Sequence, residues 1–274
     1  MFADINSTLQ YFPMIRSLFS ALLLVFFSTL GAQSFPAEPP YRHQLTLTIG
    51  VHHGYVKDQN FSPLTYRASG LRFGLGYGRT TKSGHLLSAE LGLGLTTLKS
   101  RASRYHTTDR YLIDLSFGYL RAVGPREGDR QVRLGGKYRS YVDISIFDGA
   151  EAISFFALHG IELAGDAAWR TGGQHRLKVA GSLPIFGLLV RPPYSGWDKF
   201  ISDNDTALLR ILTRGKWTSL NDFTGLRASV GWEYRLNDRW TVEAGYGLSY
   251  YSTQRIDPVR ILNNQFTLTA TRKH

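Results

Sequence analysis

Between Asp109 and Phe147, apolar and polar positions alternate with a period of two in two successive runs. In the first, Tyr111, Ile113, Leu115, Phe117 and Tyr119 interleave with Leu112, Asp114, Ser116, Gly118 and Leu120. In the second, Val132, Leu134, Tyr138, Val142, Ile144 and Ile146 interleave with Arg133, Gly135, Lys137, Arg139, Tyr141, Asp143 and Ser145. Successive side chains of a β-strand point to opposite faces, so this period predicts two strands. Their polar faces carry charges of both signs beside Gly and Ser at mid-strand. That suits a strand with one face on lipid and the other on a narrow lumen.

The same reading extends along the chain and predicts ten strands, at 42–54, 65–79, 85–99, 109–122, 131–146, 151–167, 175–189, 222–235, 239–254 and 262–272. Leu45, Leu47, Ile49 and Val51 oppose Gln44, Thr46, Thr48 and His52, for example, and Leu71, Phe73, Leu75 and Tyr77 oppose Arg72, Gly74, Gly76 and Gly78. The predicted fold class is all-β: an antiparallel up-and-down transmembrane β-barrel of ten strands. Eight or twelve are the alternative counts, because the pattern is weakest over 151–190. There His159 falls in the apolar register of the sixth strand and Pro184 interrupts the seventh; a bulge at either place would restore the alternation. A secreted soluble sandwich or lipocalin-like barrel would alternate too. Its strands, however, average about 5–6 residues, whereas most of these run to 12 or more.

Connections and aromatics refine the picture. Taken in order, the odd connections (55–64, 100–108, 147–150, 191–221 and 256–261) contain 10, 9, 4, 31 and 6 residues. The even ones (80–84, 123–130, 168–174 and 236–238) contain 5, 8, 7 and 3, and hold turn chemistry such as Lys82-Ser83-Gly84, Gly124-Pro125 and Asn237-Asp238. Short turns on the side of the termini and longer loops opposite are the outer-membrane arrangement. An aromatic girdle follows, with Tyr77, Tyr119, Trp232, Tyr234 and Trp240 near the short-turn edge and Tyr111 and Tyr250 near the other.

The N-terminus reads as a targeting segment over residues 1–32. Arg16 precedes an apolar run from Leu18 to Leu30, and Leu30-Gly31-Ala32 makes a cleavage site before Gln33. Residues 1–13 fit no part of a signal peptide, which points to Met14 as the functional start. The barrel then occupies 33–274. Its 242 residues keep the formal charge of +11, since residues 1–32 contain one Arg and one Asp. Lys and Arg are spread along the chain rather than clustered, which argues against nucleic acid and for lipopolysaccharide phosphates or anionic solutes as partners. With no Cys, disulfides, thiolate metal sites and a lipidated Cys are excluded. No cofactor or metal site is predicted.

Over 42–272 the chain resembles the small outer-membrane β-barrels of Gram-negative bacteria in architecture, without a diagnostic motif. Such barrels usually end on an aromatic residue, whereas Thr271-Arg272-Lys273-His274 close this sequence. Omptin proteases have ten strands and pair Asp-x-Asp with Asp-x-His. Here Asp203-Asn204-Asp205 lies in the long loop, but Asp-x-His is absent. The His-x-Ser pair of lipid A deacylases and outer-membrane phospholipases is absent as well. His106-Thr107-Thr108-Asp109 comes nearest, and reads as solvated loop.

Candidate site residues fall into two groups. Arg72, Glu90, Asp114, Arg133, Lys137, Arg139, Asp143, Glu162, Arg176, Lys178, Arg227, Glu233, Arg235 and Glu243 share the polar register and are expected to line the lumen. Unpaired buried charges are costly, so these are expected to pair across a narrow interior. Inward Gly-x-Gly runs such as Gly74, Gly76 and Gly78 are expected to relieve crowding there. In the external loop 191–221, residues 205–215 predict a short helix capped by Asn204 or Asp205, with Leu208, Ile211 and Leu212 as its apolar stripe and Trp197 and Trp217 flanking it. That stripe is expected on the rim or folded inward as a plug. The leading functional expectation is a non-enzymatic outer-membrane protein with a salt-bridge-filled lumen and a surface-binding or envelope-structural role. The alternatives are a hydrolase with a site at the outer rim, where His52, His53 or His106 would converge with Asp or Ser, and a narrow channel mildly preferring anions.

Overall fold

The structure, a computed structural model, describes residues 42–59, 62–102, 108–123, 130–147, 152–191, 203–204, 207–220, 222–253 and 258–274. The targeting segment and Trp197 therefore lie outside the described residues. Among these residues eleven strands form: β1 (Arg42–Asp58), β2 (Thr65–Thr80), β3 (Leu86–Ser100), β4 (Thr108–Val123), β5 (Arg130–Phe147), β6 (Ala152–Gly172), β7 (His175–Val190), β8 (Lys216–Ser219), β9 (Phe223–Arg235), β10 (Trp240–Thr253) and β11 (Val259–Lys273). A short helix, α1 (Leu208–Thr213), precedes β8.

Each of the ten long strands pairs antiparallel with its sequence neighbour, β7 passing to β9, and β1 pairs with β11 to close the ring. Closure joins the two ends of the ten-strand sheet and so protects its long edges, while the short β8 lies outside the ring and pairs with β7. The strands are long, from 13 residues in β9 to 21 in β6. At the short-turn end, the tightest reversals use Gly84, Gly172 and Gly173, all at positive φ. Asn237 makes another, its Oδ1 accepting from the backbone N–H of Arg239 and of Trp240 at 2.9 Å each.

The β6–β7 ladder shifts register twice, between Arg170 and Gly172 at the turn and between Ile161 and Glu162 within the wall. Ile161 pairs with Phe186 but Glu162 pairs with Pro184, so Ile185 is an extra residue in β7. The bulge sits beside Pro184, which has no N–H to donate, and it keeps Phe186, Leu188 and Val190 on the outward face. Across the same residues the ladder of β7 passes from β9 (through Ser182) to β8 (from Phe186). Gly225 gives Pro184 room here: a Cβ on it would fall 2.9 Å from Pro184 Cγ. His159 stays in the outward register, its Nδ1 2.8 Å from Ser140 Oγ.

The faces divide as the alternation demands. Leu45, Leu47, Ile49, Leu71, Phe73, Leu75, Leu91, Leu93, Leu95, Ile113, Phe117, Leu134, Tyr138, Leu163, Val230, Phe266 and Leu268 are all exposed on the outside. Soluble monomers rarely expose apolar patches beyond a few hundred Å². A belt running round the barrel is stable only against hydrocarbon. Tyr77, Tyr119, Trp232, Tyr234 and Trp240 stand outward at the short-turn edge, and Tyr111 and Tyr250 outward toward the opposite edge.

Candidate functional site: the filled lumen

Inward positions are even in β1 to β4 and β6, odd in β5 and β9 to β11, by the registers of the ladders. In β7 they are even up to the bulge. Three tiers of side chains follow from the short-turn end to the long-loop end.

In the inner tier, Lys178 on β7 bridges Glu233 on β9 at 2.6 Å and Glu243 on β10 at 2.8 Å. Arg176 and Lys273 stand 3.9 and 3.8 Å from the same Glu233. Arg133 pairs with Asp166 at 2.7 Å, and Lys137 with Glu90 at 3.7 Å. Glu90 is half exposed, so this end of the lumen is wet. Arg235 closes β9 at the inner edge, its backbone N–H on Gln174 O. Inward glycines leave the space these chains need: a Cβ on Gly231 would meet Glu243, and one on Gly92 would lie 2.6 Å from Arg72 Nη2.

The middle tier joins opposite walls. Asp114 on β4 receives Arg72 at 3.2 Å, Arg139 at 3.1 Å and Arg227 at 2.9 Å. Glu162 on β6 receives Arg139 at 3.3 Å and a 2.6 Å hydrogen bond from Ser182 Oγ, with Arg227 at 3.8 Å. Arg227 also lies over the rings of Tyr141 and Tyr251, 5.2 and 5.0 Å from their centroids. Next to it, fully buried Arg110 donates from Nε to Asp143 at 2.8 Å and from Nη1 to Asn263 at 3.3 Å. Asn263 Oδ1 is also 3.1 Å from His52 Nε2, and its Nδ2 donates to Tyr141 Oη and Ser249 Oγ. Five strands meet at that one amide.

The outer tier is apolar. Tyr141, Phe156, Phe223 and Tyr251 cluster with ring centroids 5.0 to 6.4 Å apart, surrounded by Val56, Ala68, Leu98, Leu112, Leu158, Val259 and Ile261. Over it, Arg191 at the end of β7 donates to Asp58 at the end of β1 (2.6 and 3.2 Å), and Ser154 Oγ donates to the same carboxylate at 2.9 Å. A small gap of about 10 Å³ remains beside the cluster, lined in part by Arg139, Glu162, Pro184 and Arg227.

The expected salt-bridge filling is thus only the inner and middle part of the lumen; a hydrophobic plug fills the outer part. Sequence reasoning missed the plug, and it missed Arg110, Asn263, Asp58 and Arg191. The available signal was the run of apolar residues in otherwise polar registers, such as Leu98, Leu112, Phe156, Leu158 and Ile261, all near the outer ends of their strands.

The loop segment also differs from expectation. α1 spans six residues rather than 205–215, and its N-cap is Ala207, with no side-chain cap. Asn204 Oδ1 instead accepts from Arg210 Nη1 at 2.9 Å. The helix neither plugs the lumen nor crosses the mouth: Ile211 packs on the outward face, against Val142, Phe155, Ala157 and Val190, with Leu212, Ile144 and Leu188 beside it. Leu208 opens the helix. Trp217 on β8 is exposed and stacks on Phe186, centroids 5.2 Å apart. Of the rim histidines, His52 points inward and is fully buried, His53 points outward on the opposite face, and His106 lies outside the described residues.

No protein-family model matches the chain, and no curated protein does. Solved structures of similar architecture include the translocator domain of the autotransporter NalP from Neisseria meningitidis (13% identity, 97% of each chain covered, TM-score 0.43). Neisserial surface protein A matches at 10% identity over 85% of this chain and 97% of its own, TM-score 0.35. An outer-membrane channel from Pseudomonas putida F1 matches at 9% identity over 90% of this chain and 100% of its own, TM-score 0.37. The outward apolar belt, aromatic edges, ring closure and charged interior of the present chain are the construction of a membrane-spanning β-barrel, here with a buried salt-bridge network.

Proposed function

We propose that this protein is a closed, non-enzymatic barrel with an envelope-structural or surface-binding role, in contact with outer-membrane lipid and lipopolysaccharide. The observation that carries the reading is the aromatic plug of Tyr141, Phe156, Phe223 and Tyr251 above the Asp114–Glu162 charge cluster. A permeating ion would have to displace packed rings and break buried ion pairs, each change costing several kcal/mol. The divergence of His52 and His53 onto opposite faces speaks against a rim hydrolase built on them. Reconstitution in planar bilayers tests the reading: silence at moderate voltage is expected, and steady single-channel steps of the unmodified protein would overturn it in favour of a pore.

A further inference from the structure

Among the described residues, four cations stand at the outer end of the outward register without an acidic partner. Lys57 on β1 is directly opposite Arg260 on β11, and Arg67 on β2 is directly opposite Lys99 on β3. Arg67 is also opposite Tyr55 on β1, its guanidinium 6.0 Å from the ring centroid. Directly opposed side chains lie about 4.5–5.5 Å apart at Cβ and diagonal ones about 7–8 Å; Lys57 is opposite Thr65, two residues from Arg67, so the two pairs are diagonal neighbours and make one cluster across β3, β2, β1 and β11. Arg67, Lys99 and Arg260 are exposed, and Lys57 is half-buried.

Inside the barrel the rule is different. Arg72, Arg110, Arg133, Arg139, Lys178 and Arg191 each meet a carboxylate within 4 Å. Among the described residues none of the four outward cations does. Asp109, outward on β4 opposite Thr97, is the nearest acid in register, and it forms no ion pair with Lys99.

Snorkelling alone would scatter such cations round the rim. These are confined to one arc. In the outer half of β4 to β10, the outward strand positions among the described residues carry no Lys or Arg. At the inner rim the outward arginines are dispersed, and two lie over rings: Arg130 over Trp169 and Arg272 over Trp240. Inward of the cations, past His53, Ser69 and Thr97, the belt begins with Val51, Leu71 and Leu95. A ligand for this place needs several negative charges at the level of the headgroups and hydrocarbon alongside the wall. The bisphosphorylated disaccharide lipid of the outer leaflet meets both conditions, whereas a zwitterionic phospholipid offers one phosphate against four cations.

We infer that Lys57, Arg67, Lys99 and Arg260, flanked by Tyr55, form a binding site for the phosphorylated head of lipid A, with its acyl chains against Val51, Leu71 and Leu95. The inference deepens the outer-membrane reading and rests on it. Native mass spectrometry of the full barrel in zwitterionic detergent, titrated with bisphosphoryl lipid A, tests it. One lipid A retained per barrel is expected. The quadruple variant Lys57→Gln, Arg67→Gln, Lys99→Gln, Arg260→Gln should weaken binding on the order of tenfold to a hundredfold. Arg121→Gln with Arg272→Gln, at the other rim, should not. Equal binding by the quadruple variant, or equal binding of dephosphorylated lipid A or zwitterionic phospholipid by the unmodified protein, overturns the site. Should the variant lose the heat-modifiable gel mobility of a folded barrel, a salt titration of the unmodified protein decides: affinity falling with salt supports the site, and salt-independent affinity refutes it. Bilayer conductance of the same variant stays silent if only the lipid site is lost, which separates this inference from closure of the lumen.

Discussion

Asp114 on β4 and Arg227 on β9, 113 positions apart in sequence, meet at 2.9 Å in the middle of the lumen. Arg72 and Arg139 converge on the same carboxylate. Asp114→Ala therefore takes from Arg72 its carboxylate and leaves Arg139 and Arg227 to share Glu162. Loss of one partner of a buried ion pair costs about 3–5 kcal/mol, so the urea midpoint of the folded barrel in detergent should fall clearly. A midpoint equal to that of the unmodified protein would show that the cluster is dispensable.

The plug makes a second prediction. Phe156 and Tyr251 are buried, their centroids 6.4 Å apart, and they fill the lumen where the charge clusters end. The double variant Phe156→Ala, Tyr251→Ala should lose about 3–5 kcal/mol per ring and should conduct in planar bilayers. Persistent silence of a folded double variant would mean that the ion pairs alone close the passage.

Ile211 holds α1 on the outer wall through Val142, Phe155, Ala157 and Val190. Ile211→Ala should weaken that docking by about 2–5 kcal/mol. Limited proteolysis from the outside of whole cells should then cut within 203–222 more rapidly, with the barrel still heat-modifiable. Unchanged cleavage would indicate that the helix is held by something other than this contact.

Deletion of Ile185 removes the bulge beside Pro184. The pairs Glu162–Pro184 and Ile161–Phe186 then become consecutive on both strands, and with side chains alternating at a period of two every residue of β7 keeps its face. Phe186, Leu188 and Val190 stay outward, and Ser182 and Lys178 stay inward. Refolding should still give a heat-modifiable species, and loss of the folded barrel would contradict the registered pairing of β6 with β7.

Phe73 lies mid-belt, paired with Ile49 and Leu93, whereas Ser69 lies near the outer edge of the same face. Phe73→Arg should cost roughly 2–4 kcal/mol and Ser69→Arg roughly 0–1 kcal/mol in lipid vesicles. Equal costs by denaturant titration in a bilayer would place the belt elsewhere.

Most of the architecture was legible because its cause is local. Every residue of a strand in a closed barrel must choose hydrocarbon or lumen, so Leu71, Phe73 and Leu75 against Arg72, Gly74 and Gly76 report their faces without any knowledge of neighbours. Strand ends were legible for the same reason, set by turn residues such as Gly84 and Asn237 and by the aromatic edges at Tyr77 and Trp240. The bulge was half legible: the pattern marked Pro184 as a fault, and the ladder placed the extra residue at Ile185.

What the tertiary structure alone decided is which inward groups meet. Register gives a side chain its face, but the partners of Arg139 or Asn263 come from strands far away in sequence, brought into reach by strand stagger and barrel closure. Asp58 and Arg191, 133 positions apart, could be paired only once β1 and β7 faced each other across the mouth. The plug needed the same step, since Phe156, Phe223 and Tyr251 look like isolated lapses in three polar registers until the ring brings them together. α1 was ambiguous for a related reason: an apolar stripe records that it must be covered, and only the folded wall supplies Val142 and Ala157 as the surface that covers it.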